Sequence, residues 1–421
     1  MPTPPRLPIV VIGAGAAGTM AAGWAASTGA EVVLVERTRQ GGKKIVVSGG
    51  GRCNVLPSEV DVRRFVSESP MHLVRRMLAA WPLDAQRRFF EDTLGVPLRL
   101  EPETGKLFPA SNRATDVRDA LLAWCQRQGV IPSFGTRVAA VRPLADHAGG
   151  ARWAVETDVA GAIEARSVVV ATGGLSVPNT GSDGFGFGLA RRTGHTVEPT
   201  YAALTPLTSD ALAPGGVPVA SLAGVSLGAR VAGGTGAAAL ASARGFLFTH
   251  RGYSGPSVLD VSHLVTRARA AGSDSPTLTV RWEAESDESI WDERLRTSGG
   301  TAGTLVRRAL PARLADALLA MADIAPEQPL AHLSRDARRR LARVLGDFPL
   351  RVTGDEGYRT AEVTGGGVAL SEVDPRTLES RRTPGLFFCG EVLDAFGPIG
   401  GFNFLWAWAT GRSAGLGASE A

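Results

Sequence analysis

The chain has 421 residues, enough for two or three domains with separate cores. Hydrophobic residues make up 44% and charged residues 20%, which excludes a disordered chain, and the 52 glycines fall in short runs rather than at the fixed period of collagen or a solenoid. Net charge is +4, carried almost wholly by arginine beside Lys43, Lys44 and Lys106; such a field eases the approach of an anionic ligand or RNA but identifies none.

Ile9-Val10-Val11-Ile12 is an apolar run ending in glycine, as expected of a buried parallel strand. The Ala-rich stretch from Ala16 to Thr28 predicts a helix closed by Gly29, and Glu31–Val35 a second strand ending at Glu36. Between them Gly13-Ala14-Gly15-Ala16-Ala17-Gly18 is a G-x-G-x-x-G fingerprint. Gly13 makes the turn, Gly15 admits a pyrophosphate, and Gly18 lets the helix pack on the strand. The free N–H groups at the helix start suit phosphate oxygens, and Glu36 stands where a carboxylate meets ribose hydroxyls. These features fit NAD or FAD.

Next comes Gly41-Gly42-Lys43-Lys44, then Ser48-Gly49-Gly50-Gly51-Arg52-Cys53-Asn54, a bare backbone flanked by cations that suits a ligand better than a surface loop. Helical patterns around 60–92 and 114–128 flank a turn-rich 95–112, and Arg166–Ala171 is a buried strand running into Thr172-Gly173-Gly174. From about Pro199 the text becomes short β-like pieces (204–208, 217–231, 245–249). Helical patterns follow at 256–270, 302–322 and 331–345, around a polar stretch near 272–300. Strands return at 350–353 and 359–369, and Gly385–Cys389 is a further strand that leads to Gly390-Glu391. Gly400-Gly401-Phe402-Asn403 opens a closing helix over 403–416, with Asn403 as its N-cap and a helix N-terminus fit to face negative charge. The expected organisation is α/β: a doubly wound, Rossmann-like domain from 1–197 and 350–421, with 198–349 inserted.

Through these motifs the chain resembles a family of FAD flavoproteins that includes aminoacetone oxidase, a bile-acid Δ-reductase and a ribosomal-RNA dihydrouridine synthase. The likeness extends through Gly105–Pro109, Ala114–Val117, Pro178–Ser182, Phe248–Pro256, Ala361–Val368 and Glu391–Asp394, nearly the whole chain. It implies that Gly13–Gly18, Glu36, Arg37, Lys44, Ser48–Asn54, Val138, Ala171–Gly173, Gly390, Glu391 and Gly400–Asn403 bind FAD. It also implies an inserted small β-barrel (about 198–255, with a return strand near 350) carrying a helical subdomain (about 256–347). Leu175, Val177 and Leu405 depart from the family pattern, which leaves the substrate open.

Three functions follow from the resemblance. The first is NAD(P)H-dependent reduction of an activated C=C, in a uracil of rRNA or a small enone, by hydride transfer through flavin N5, with NAD(P)H as a transient visitor. The second is O2-dependent oxidation of a small amine or aminoketone, and the third a non-catalytic flavin- or RNA-binding protein, disfavoured because the flavin-facing motifs are intact. His250, Tyr253 and Cys53 are the catalytic candidates. Gly234–Ala239 also matches a nucleotide fingerprint, but the next strand follows too closely for a crossover helix, so a hairpin loop is expected. The Arg-rich face of Ser334–Arg343 reads first as solvated, and second as an RNA contact. Cys53, Cys125 and Cys389 are too dispersed for a zinc site or disulfides, no segment is apolar enough to span a bilayer, and a reduced, cytoplasmic, metal-free protein is the expectation.

Overall fold

All four residues of the strand Ile9–Ile12 are fully or almost fully buried, as an apolar run in the middle of a parallel sheet must be. The sheet has five parallel strands in the order Leu386–Phe388, Ser167–Val170, Ile9–Ile12, Val32–Glu36, Ile131–Phe134. Ile9–Ile12 thus has Val32–Glu36 on one side and Ser167–Val170 on the other, so the strand order reverses at its carboxyl end, where open α/β sheets bind ligands. The computed structural model describes residues 7–144, 152–159, 161–234 and 240–421.

Two compact units emerge, one of Met1–Thr200 with Val363–Ala421 and the other of Tyr201–Glu362. In the first, the helix Ala16–Ser27 packs against the closing helix Phe402–Glu420, which comes from the far end of the chain. Their backbones approach closely because Gly411 and Gly415 face the carbonyls of Ala17 and Ala21, and a Cβ at either glycine would collide with them. Trp406 and Trp408 are core residues whose indole N–H groups donate to Gly390 and Val55 carbonyls at 3.1 and 3.0 Å.

The turn-rich segment 95–112 contains two strands, Leu98–Glu101 and Lys106–Pro109, paired antiparallel. The helical pattern at 60–92 is broken into Met71–Ala79 and Leu83–Arg88, each preceded by a proline that ends the preceding segment. A three-stranded antiparallel sheet, Val138–Pro143 with Trp153–Thr157 and Gly161–Ala165, was not expected from the sequence pattern.

The second unit has its own core, beneath a seven-stranded sheet running from Phe348–Leu350 through Leu278–Arg281, Ser226–Gly233 and Leu240–Phe248 to Gly252–Ser254, Leu207–Thr208 and Gly354–Asp355. The polar stretch near 272–300 holds the strand Leu278–Arg281 and the helix Glu288–Thr297, whose N-cap Asp287 accepts from the Ile290 N–H at 3.0 Å. The pattern at 302–322 is two helices, Ala302–Ala309 and Ala312–Met321, divided by Leu310-Pro311. Ser226–Gly233 and Leu240–Phe248 form an antiparallel pair in which Gly233 faces Leu240; of the Gly234–Ala239 fingerprint, residues 235–239 lie outside the described residues. Among the described residues no helix is long and apolar enough to cross a membrane.

Candidate functional site

The three fingerprint glycines differ in what surrounds them. Gly13 sits at φ 102°, and a Cβ there would lie 2.5 Å from the Ala171 carbonyl oxygen at the end of the neighbouring strand. A Cβ on Gly18 would run into the Gly13 carbonyl, so this glycine seats the helix on the turn. Gly15, the residue before the helix, has nothing within 4 Å of the place its Cβ would occupy. Open space beside a glycine, at a helix N-terminus without a side-chain cap, is a cradle for an anionic group brought against backbone.

Glu36 ends the second strand, and its carboxylate accepts from the Ala14 N–H at 2.9 Å and the Thr38 N–H at 2.8 Å. It therefore locks the turn, and its remaining lone pairs are free for hydroxyl donors. Arg37 is directed elsewhere: it pairs with Asp183 at 2.5 Å and donates to the Gly181 carbonyl, strapping the 177–184 loop to the end of this strand. Val138 is buried in its edge sheet opposite Thr157, two residues beyond Thr136, whose N–H donates to the Glu36 carbonyl.

Ser48–Gly51 forms a tight, exposed turn with Gly49, Gly50 and Gly51 at φ 56°, 67° and 85°; beside Gly50 and Gly51 nothing lies within 4 Å of a would-be Cβ. Asn54 then ties this loop to the start of the closing helix: in the amide orientation that satisfies both ends, its nitrogen donates to the Leu56 carbonyl and its oxygen accepts from the Gly401 N–H at 2.9 Å. Gly401, at φ 90°, is the residue that caps the helix, and a Cβ on it would strike the Leu56 backbone. Asn403 is not the N-cap expected from the sequence; it lies inside the first turn, where its amide makes two hydrogen bonds with the Gly397 backbone, at 2.9 and 3.0 Å. That holds the Gly397–Gly401 loop and leaves the helix N-terminus without a side-chain cap. Phe402 is taken up by packing on Phe65, and Gly400 stands at φ 128° beside it. Arg52 lies over the Phe108 ring, 4.1 Å from its centroid, and pairs with Glu101 at 3.1 Å.

A buried polar cluster joins these walls. Glu391 accepts from Lys44 Nζ at 2.8 Å, from Ser176 Oγ at 2.7 Å, and from the Thr364 N–H and Oγ1 at 3.0 and 2.9 Å. Burial pulls its carboxyl upward, but the Lys44 ammonium and the hydrogen bonds prevail and hold it below the usual carboxylate range. Gly174 is glycine because a Cβ there would lie 2.8 Å from Glu391 Oε1. Gly173, at φ 69°, and Thr172 continue the strand end toward the same cluster. Ser176 was not singled out from the sequence, and Thr364 entered only as part of the Ala361–Val368 motif, without a role. Gly390, at φ 77°, faces Ala17, and its N–H donates to Thr410. Three residues beyond Glu391, Asp394 gathers the Ser67 hydroxyl, the Glu68 and Ser69 N–H groups and the Ser69 hydroxyl at 2.8–3.2 Å, yet burial pushes its carboxyl up to about 6.

Among the three catalytic candidates, Cys53 is wholly buried at φ 57°, and burial pushes its thiol up to about 12, so it is no thiolate at neutral pH. Tyr253 belongs to the second unit, buried between Phe246 and Phe248, with its phenol also pushed up to about 12 by burial. His250 is exposed in that same unit. Of the five arginines of the helix Arg335–Gly346, three are engaged within the same unit: Arg338 pairs with Asp292 at 2.8 Å, Arg343 with Glu288, and Arg340 donates to the Ala322 carbonyl, while Arg335 and Arg339 are exposed. Among the described residues no group of His, Cys, Asp or Glu could hold a metal ion.

Against known families, residues 7–417 match the model described as the HI0933-like protein Rossmann domain. The chain is 32% identical over 408 residues to a ribosomal RNA dihydrouridine synthase of Escherichia coli, covering 96% of each. It is equally 32% identical over 423 residues to a 3-dehydro-bile acid delta(4,6)-reductase of Clostridium scindens, covering 98% of this chain and 99% of that protein. Among solved structures, the 3-ketosteroid delta1-dehydrogenase of Sterolibacterium denitrificans shares the fold, at TM-score 0.53 and 12% identity over 98% of this chain and 99% of the other.

Proposed function

The chain belongs to the HI0933-like Rossmann family and is an FAD-dependent oxidoreductase, and from that premise we propose that it reduces a carbon–carbon double bond conjugated to a carbonyl, with NAD(P)H as the reductant. The observation that carries this reading is the agreement between two relatives similar over nearly the whole chain. One is named for making dihydrouridine, the other for reducing double bonds of a 3-dehydro bile acid; both names describe saturation of such a bond. The substrate we favour is a uracil of ribosomal RNA, after the synthases of Escherichia coli and Haemophilus influenzae, the latter 31% identical over 416 residues.

Bound FAD supplies a hydride donor and acceptor at N5. In this reading the first turn of Ala16–Ser27, opened by Gly15, holds the pyrophosphate, and Glu36 accepts from the ribose hydroxyls. Ser48–Asn54 and Gly400–Asn403, clamped by the Asn54–Gly401 hydrogen bond, form the wall against the flavin, and the uncapped N-terminus of Phe402–Glu420 favours negative charge there. Glu391 fixes the Lys44 ammonium at the same wall.

Two measurements test the reading. Anaerobic mixing with NADPH is expected to bleach the bound flavin, and rRNA from a deletion strain is expected to lack a dihydrouridine that the wild type carries. An intact rRNA pattern, with saturation of a small enone by the reduced enzyme, would move the substrate to the enone. No bleaching, with peroxide released from aminoketones, would overturn the reductase altogether.

A further inference from the structure

The antiparallel strands Leu56–Pro57, Lys106–Pro109 and Leu98–Glu101 form a small sheet whose register assigns each side chain to a face. Residues directly opposite one another in such a pair project to the same side. Leu56, Leu98, Leu100 and Leu107 therefore share one face, and Arg99, Glu101, Lys106 and Phe108 the other. Leu56, Leu98 and Leu107 belong to the core of the first unit, so the second face is the outer one. A phenylalanine is out of place there. Phe108 is only 3% exposed, yet it belongs to neither hydrophobic core.

What covers the ring is a cation and bare backbone. The Arg52 guanidinium carbon lies 4.1 Å from the ring centroid, and a Cβ on Gly49 would come within 3.3 Å of the ring edge. Glu101 fixes the guanidinium: one carboxylate oxygen accepts from Arg52 at 3.1 Å, and the other from the Thr104 hydroxyl at 2.7 Å. Arg52 still keeps 41% of its side chain in solvent, and only its Nη1 has a hydrogen-bond partner among the described residues. Beside it, nothing lies within 4 Å of a would-be Cβ on Gly50 or Gly51. Arg99 stands opposite Phe108, exposed and without a partner among the described residues, and Lys106 stands opposite Glu101.

A guanidinium pinned over an aromatic ring has already lost its rotamer freedom, so a planar group can stack on its outward side at little further entropic cost. Nucleobases stack on arginine in this way, while cations along the same surface meet the phosphates of the strand. Glu101, the carboxylate of this face, is already neutralised by Arg52. We propose that this sheet face receives a single-stranded segment of the RNA substrate, with Arg52 as the stacking platform and Arg99 and Lys106 as phosphate contacts. The assignment deepens the rRNA reading above and rests on it.

The experiment compares the FAD-loaded wild type with R52K, R99Q and R339Q, using anisotropy of a fluorescein-labelled oligouridylate over stepped KCl. FAD content and thermal midpoint are read in parallel. R99Q should bind more weakly at low salt and lower the slope of log K against log salt by about 0.7, the loss of one phosphate contact. R52K keeps the charge but loses the planar group, so affinity should fall about tenfold with the slope unchanged. R339Q, at an exposed position of Arg335–Gly346 in the second unit, should change neither. Loss of FAD from R52K would give Arg52 to the cofactor, and equal losses in R99Q and R339Q would show diffuse attraction by the whole surface; either overturns the proposal. Unchanged binding in both R52K and R99Q, or no binding by the wild type, overturns it too. The rRNA reading is decided separately: dihydrouridine missing from deletion-strain rRNA keeps that reading even if this surface fails, and an intact rRNA pattern removes it even if oligouridylate binds here.

Discussion

Replacing Lys44 with methionine should leave Glu391 as a buried carboxylate without its counter-ion. The pair is close, at 2.8 Å, and both side chains are mostly buried, exposed by 26% and 16%, so water can screen the stranded charge only in part. Removing one partner of a fully buried pair costs about 3–5 kcal/mol, and with Ser176 and Thr364 still donating we expect about 2–4 kcal/mol near pH 7.5. The pH dependence identifies the cause. In the wild type the Glu391 carboxyl is held below its ordinary value, so its contribution is complete above the unfolded carboxylate range and fades only as pH falls through the folded value. In K44M, burial is opposed only by the Ser176 and Thr364 hydrogen bonds, and the folded value is expected to rise above the unfolded one. Stability then declines as pH rises through that window, and the penalty relative to wild type shrinks as pH falls toward 5. Urea midpoints of both proteins at saturating FAD, at pH 7.5 and 5.5, measure it. A penalty under about 1 kcal/mol, or one independent of pH, would refute the account of Glu391 as an ionised, Lys44-dependent group.

Gly15→Ala should fold as well as wild type, with an apoprotein midpoint within about 2 °C, but bind FAD at least about tenfold more weakly, because its Cβ enters the open space that we propose holds the pyrophosphate. Gly18→Ala should instead lose the folded first unit, seen by circular dichroism, since its Cβ meets the Gly13 carbonyl. All three cysteines are buried, so the native protein should react with no thiol reagent at pH 8 and release three thiols in denaturant; rapid native labelling of any would contradict the packing. Asp394 has its carboxyl raised to about 6, so the folded state binds its proton more tightly than the unfolded one, and stability should fall by about 2 kcal/mol as pH climbs from 4 to 6. Asp394→Asn should flatten that segment of the pH–stability curve, and an unaltered slope would assign it to other groups.

Much of the first unit was legible because its signals are local. A buried four-residue apolar run, a fingerprint turn and an Ala-rich helix specify one another over a short span, and the observed strands Ile9–Ile12, Val32–Glu36, Ser167–Val170 and Leu386–Phe388 follow the apolar runs closely. The strands within 95–112 and 138–165 were not legible, since polar edge strands carry weak periodicity and are stabilised by partners rather than by their own pattern. Leu310-Pro311 and Pro82 broke two helical patterns that amphipathic spacing alone runs together.

The sequence by itself determined that a glycine-fingerprint turn joins the first strand to the first helix, that Glu36 closes the next strand, and that the glycine runs and the helix start we propose as the FAD wall come from distant segments. Tertiary structure decided which of the charged residues beside those glycines remain available. Arg37 goes to Asp183, Arg52 to Phe108 and Glu101, and Lys44 to Glu391, while Asn403 turns back onto Gly397. It also decided that Leu175 and Ser176 are held by Thr364 and Glu391, residues remote in the chain. Backbone turns are chosen by steric rules within a few residues, whereas the partner of a charge or hydroxyl is whichever complementary group the fold brings within about 3 Å, and a linear pattern does not encode that distance.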